Sequence, residues 1–186
     1  MTEQLAGDDA IADLMANLER SDDAAPVEAL LAEFPEDPRL HFMRGSLLVK
    51  GQNPTEAHRS MKRAVELAPG FAIARYQLGF FELTSGDAES ALATWGPLLA
   101  SAEDDYLRVF VEGMVHLIRD EFDPAMAKFE QGLALNKDNE PLNNDIRLLM
   151  KEVRELAHRQ SSGDDGDALS ATSLMLGQFS GNRTIN

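Results

Sequence analysis

Side chains able to do chemistry are plentiful in this sequence, but their spacing assembles no reaction centre. The four histidines, His41, His58, His116 and His158, belong to the residue type that titrates nearest neutral pH and most often binds metals. None stands in an HxxxH or other ligand spacing, so no metal site is expected. The acidic run DDGD at 164–167 is too short for a calcium loop, and NKDNE at 136–140 lacks the glycine and the spacing of an EF-hand. Carboxylates abound, yet no two form a pair with defensible acid and base roles. The chain has no Cys, which excludes disulfides, thiolate zinc sites and thiol catalysis. The GxSxG, GxxxxGKS/T and GxGxxG patterns are also absent. A non-enzyme with no cofactor, no metal and no catalytic residues is the expectation.

Composition narrows the partner classes. The 186 residues suffice for one domain with a sizeable core or for a short repeat array. No run of about 18 apolar residues is present, so no membrane span is expected. The N-terminus, MTEQLAGDDA, is acidic and lacks the basic and apolar regions of a signal peptide, which points to a cytoplasmic protein. A net charge of -15 makes nucleic acid a poor partner, because phosphate binding needs a basic footprint. The charge is uneven: residues 1–37 hold eleven acidic side chains and one basic, whereas 38–139 hold fourteen and eleven. The acidic segment reads either as a solvated, solubilising face or as a device that steers a basic partner.

The elements that must position any site are set by an internal period. Gly45, Gly79 and Gly113 are 34 residues apart, as are Ala57, Ala91 and Ala125, and as are the large apolar residues Met61, Trp95 and Phe129. Each unit reads as two helices, the first over 38–51, 72–85 and 106–119, the second over 54–67, 88–100 and 123–136. Asn53-Pro54 and Asp123-Pro124 place a capping side chain before a proline at the first helical position. Glu56 completes a capping box with Asn53, and Asp87 caps after the turn residue Gly86. Gly costs about 1 kcal/mol relative to Ala inside a helix. Gly79 and Ala91 are therefore read as contact points between paired helices, with the large residue filling the space between neighbouring pairs.

These columns resemble the tetratricopeptide repeat (TPR) family. In the middle unit the pattern is Leu78-Gly79, Gly86, Ala91 and Trp95; in the first, Gly45, Ala57, Met61, Ala64 and Pro69; in the third, Gly113, Ala125 and Phe129. The resemblance implies an all-α helical-hairpin solenoid closed by a C-terminal capping helix. Repeat units are expected at 38–71, 72–105 and 106–139, after a degenerate repeat at 1–37 and before a capping helix at 140–158 and a tail at 159–186. In the degenerate repeat, Ile11, Leu14, Met15 and Leu18 mark an amphipathic helix over 9–20, followed by a short helix from Pro26 to Phe34. In the capping helix, Ile146, Leu149, Met150 and Val153 form the stripe that lies on the last pair. Departures from the family pattern are polar residues at His41, Arg44, Arg75, Glu82, Glu112 and His116, with apolar ones at Leu47, Phe81 and Val115, and Gly132 where the first unit has Ala64. They point to first helices rotated about their axes.

The resemblance also implies a protein or peptide partner held in a groove lined by the first helices. That groove would hold Arg39, Phe42, Ser46, Val49 and Lys50. It continues over Ile73, Tyr76, Phe80, Leu83 and Thr84, then Leu107, Phe110, Met114, Leu117 and Ile118. Two readings of its apolar members stand: rotation buries them as core, or they form an open groove for an amphipathic helix or extended peptide. The Lys and Asn pattern of a carboxylate clamp is missing, which argues against an acidic chain terminus in that groove. In the tail, a linker over 159–167 precedes the apolar stretch ALSATSLMLGQF at 168–179, with Asp167 as its N-cap. Leu169, Leu174, Leu176 and Phe179 are expected to dock on the apolar face, in cis or in a neighbouring chain. The alternatives are a disordered tail and a motif read by another protein. The expected function is a non-catalytic scaffold or adaptor, monomeric unless the tails swap. A small chaperone for an apolar client segment and an enzyme's regulatory subunit are the alternatives.

Overall fold

The computed structural model describes residues 5–18 and 20–162, with side chains as far as His158. Among the described residues the fold is all-α: α1 (Asp8–Leu18), α2 (Ala25–Glu33), α3 (Pro38–Lys50), α4 (Pro54–Leu67), α5 (Ala72–Thr84), α6 (Ala88–Leu99), α7 (Tyr106–Ile118), α8 (Phe122–Leu135) and α9 (Glu140–Ser162). The chain divides into two compact units between Leu78 and Gly79, inside α5. Helices α3 and α4 form an antiparallel hairpin in the first unit, as do α7 and α8 in the second, where α9 packs on α8. The tail segment 168–179, with Leu169, Leu174, Leu176 and Phe179 that are expected to dock, lies outside the described residues. The SSGDDGD stretch is not all linker, because α9 runs on through Ser162.

Helix starts follow local chemistry. Asp37 accepts a hydrogen bond from the Arg39 N–H, Asn53 from Glu56, Asp87 from Ser90 and Asp105 from Leu107. Asn53 caps as expected, but Glu56 turns its carboxylate to Arg59, 2.6 Å away, and to Arg44. Asp123 is not a cap: α8 begins at Phe122, which puts Asp123 and Pro124 in its first turn. The residue before the helix is Glu121, whose carboxylate lies 2.5 Å from His116 Nδ1 and makes no capping bond.

The hairpin turns share one conformation. Gln52, Gly86 and Asp120 all have positive φ, at 57°, 90° and 57°, and they sit 34 residues apart. Only glycine enters this region without a steric penalty of about 1–2 kcal/mol. Gln52→Gly should therefore raise the unfolding free energy by about 0.5–1 kcal/mol, after the larger chain entropy of glycine is subtracted. Urea unfolding followed by circular dichroism reads this directly, and an unchanged midpoint would contradict it.

The glycine column is a packing device. A Cβ on Gly79 would overlap the Trp95 indole, lying 2.6 Å from Cε2, and one on Gly113 would lie 2.5 Å from Phe129 Cε1. On Gly45 it would lie 2.6 Å from Met61 Cγ. The large residue therefore seats on the glycine of its own hairpin, which corrects its expected place between neighbouring pairs. Ala57, Ala91 and Ala125 are fully buried. Gly132 has the same explanation: the Phe110 ring occupies the space that a Cβ would need.

Burial settles several faces. In the first unit Ala6, Ile11, Leu14, Val27, Leu40 and Leu47 form one apolar cluster. Met15 does not join it and is 53% exposed, because the stripe of α1 that packs here runs through Ile11 and Leu14, with Leu18 partly buried against them. In α9 the expected stripe of Ile146, Leu149, Met150 and Val153 is buried, extended by Leu142 and Leu156. The NKDNE stretch is a polar staple at the start of α9. Asn136 and Asn143 are both buried: Asn136 Nδ2 donates to Asn143 Oδ1, Asn143 Nδ2 donates to the Asn136 backbone carbonyl, and Asn139 caps the helix by accepting from the Leu142 N–H.

Candidate functional site

The residues expected to line a groove do not share one environment. In the second unit Leu83, Leu107, Phe110, Met114 and Leu117 are at most 4% exposed, and Thr84 is buried as well. Tyr76, in the first unit, is 2% exposed. These side chains are core and offer no surface to a partner. The cause is clearest in α7, which buries residues on nearly every side, Val109, Val111 and Gly113 included. Phe80 and Ile118 are half-buried. The polar departures Arg75, Glu112 and His116 are half-buried too, whereas Glu82 is buried. Glu112 accepts from Arg108 at 3.0 Å and lies 2.6 Å from Lys128 Nζ. Burial would raise its pKa, but these two cations outweigh that and hold it below the usual carboxylate range.

The first unit keeps an accessible apolar face. Phe42, Ser46 and Val49 are spaced i, i+4, i+7 and so share one side of α3. Phe42 and Ser46 are half-buried and Val49 is 40% exposed. The Phe42 ring meets Phe71 edge-on with centroids 5.4 Å apart, and Ile73, also half-buried, follows at the start of α5. Arg39 and Lys50, at the two ends of this stretch, are engaged within the chain. Lys50 pairs with Asp22 at 2.8 Å, and Arg39 with Asp8 at 2.8 Å and Asp37 at 2.7 Å.

Arg39 belongs to a clamp that sequence reasoning did not anticipate. Asp37, fully buried, accepts the Ala6 N–H at 3.0 Å, while Arg39 Nη2 donates to the Ala6 carbonyl at 2.6 Å. Two side chains thus satisfy both backbone groups of a residue 31 positions before Asp37. Burial pushes the Asp37 carboxyl up, but hydrogen bonds from Arg39 and Ala6 and the Arg39 charge outweigh it and leave the pKa lowered.

A second surface feature of this unit is cationic. Residues 38–71 hold six Lys or Arg against two Glu, a net charge of +4 in a chain of -15. Helix α4 buries Ala57, Ser60, Met61 and Ala64, which turns Arg59, Lys62, Arg63 and Glu66 (i, i+3, i+4, i+7) to the other side. With His41 and Arg44 of α3 and the edge of Ser60, they line an open slot of about 360 Å³. The residues before Pro38 answer this charge: Glu28 pairs with Arg44 at 2.7 Å, and Glu36 pairs with Arg63. Counting charge repeat by repeat finds this feature in the sequence, whereas pooling 38–139 hides it.

Among the described residues no group of three or more His, Asp or Glu side chains could hold a metal ion, and no helix is long and apolar enough to cross a membrane. A family model described as tetratricopeptide repeat matches residues 10–70 and again residues 42–105. Searches of curated proteins and of solved structures each find no match.

Proposed function

Because the chain belongs to the tetratricopeptide repeat family, whose repeats mediate protein–protein interaction, we propose that it is a non-catalytic adaptor. It holds an amphipathic helix or extended segment of a partner protein against the apolar face of its first unit. The observation that carries this reading is the aromatic pair Phe42 and Phe71, left half-buried beside the exposed Val49 on one side of α3. Aromatic side chains presented in this way are the usual anchors of protein interfaces. The tail stretch 168–179, with its apolar residues and no charge, is a second candidate for this face and would gate it.

Affinity capture with quantitative mass spectrometry tests the reading, using the full chain and the variants Phe42→Ser and Val49→Ser. Loss of one anchor is expected to weaken a specific partner by about 30-fold, the equivalent of about 2 kcal/mol. Circular dichroism confirms that each variant is folded, and Val49→Ser removes a side chain too exposed to matter for the core. A partner retained equally by all three baits would overturn the assignment of this face. Gating is read from a further bait ended after Ser162, which keeps α9 whole, and predicts more partner captured than by the full chain.

A further inference from the structure

We infer that the slot between α3 and α4 is a docking site for the carboxylates of an acidic segment of a partner protein. This surface is separate from the apolar face proposed above, and the inference goes beyond that reading. Its lining sets Arg44, Arg59, Lys62 and Arg63 against Glu66, whereas the following repeat, 72–105, holds six acidic residues and one basic. The slot also shows how carboxylates are received. Arg44 Nη1 donates to the buried Ser60 hydroxyl at 2.6 Å, which fixes the guanidinium while its Nε donates to Glu28 at 2.7 Å. The acidic residues preceding α3 thus already occupy one side of the basic hairpin, at Arg44 and Arg63.

The other side is left open. Among the described residues no carboxylate pairs with Lys62, which is exposed. The Arg59 side chain is 71% exposed, and its one carboxylate partner among the described residues is Glu56, one turn back on its own helix. Lys62 therefore extends the row of cations beyond the described carboxylates of the chain, and Arg59 adds an exposed guanidinium to the same slot. Aspartate or glutamate side chains of a partner would complete the row with charge-assisted hydrogen bonds. A run of phosphates fits less well, because each brings up to twice the negative charge of a carboxylate against Glu28, Glu36, Glu56 and Glu66 around the slot.

The test is fluorescence anisotropy of a labelled peptide of eight consecutive glutamates, titrated with the full chain at low ionic strength. Lys62→Glu and Arg59→Gln are expected to weaken binding about tenfold each, the equivalent of one lost charge-assisted contact. Lys137→Glu changes net charge as much as Lys62→Glu but lies in the other unit, and should leave binding within about twofold. Phe42→Ser should leave it unchanged, which separates this inference from the proposed apolar face. Binding that is absent, or that Lys137→Glu weakens as much as Lys62→Glu, would overturn the inference. So would binding of a phosphoserine peptide with the glutamate peptide inert, which would make the slot a phosphate site.

Discussion

Trp95→Ala should lower the unfolding free energy by about 3–5 kcal/mol, the range for emptying a fully buried aromatic site. Trp95 has no exposed surface, and its indole lies directly over Gly79. The stronger test is the pair. Gly79→Ala alone should destabilise by about 1–3 kcal/mol, because the added methyl overlaps a rigid ring backed by core. In the Trp95→Ala background the same change should be neutral or stabilising by up to about 1 kcal/mol, since the methyl then fills space and alanine favours the helix. The sign reversal is the signature of direct contact. Gly45→Ala should cost less than Gly79→Ala, because Met61 can swing its flexible side chain away. Denaturant unfolding followed at 222 nm measures all four chains. Additive effects of Gly79→Ala and Trp95→Ala would show that the glycine is there for another reason.

Asp37→Ala is the second large effect, expected at about 2–4 kcal/mol. The substitution leaves the Ala6 N–H without its buried acceptor and strips Arg39 of its closest carboxylate. The pH dependence follows from the lowered pKa of Asp37. A carboxyl with a folded-state pKa below its unfolded value of about 3.9 binds more protons when unfolded. Its contribution is present above that unfolded value and is lost as pH falls through the folded one. Acid unfolding of the wild-type chain should therefore be steeper below about pH 4 than that of Asp37→Asn. Equal slopes would show that the clamp is not an ionic contact. Exchange of the Ala6 amide should also quicken in the variant, since Asp37 holds that group directly.

The repeat architecture was legible because it is written in small residues. Gly79 and Ala91 sit inside helices where glycine is unfavourable, so their 34-residue recurrence points to close contact. Asn53 and Asp87 were legible as caps because capping is a local reaction of one side chain with the next turn. Asp123 was misplaced for a related reason: the pairing of Glu121 with His116 across the turn competes with capping, and no local pattern shows it. The orientation of α7 was beyond the sequence. Its apolar residues satisfy helical spacing on two faces at once, so periodicity could not choose between core and groove, and the fold buries both. The contacts of Asp37 and Arg39 with Ala6 and Asp8 span more than 30 residues and carry no sequence signature. The basic slot was visible in principle, but only by counting charge within a single repeat.

The central claim is that α3 presents a partner-binding face through Phe42, Ser46 and Val49. Hydrogen–deuterium exchange of the full chain, with and without a partner obtained by affinity capture, addresses it most directly. The expected result is slower exchange over residues 42–50 and 71–76 in the complex, with α9 unchanged. Protection confined to α9 or to the second unit, with residues 42–50 exchanging as before, would contradict it.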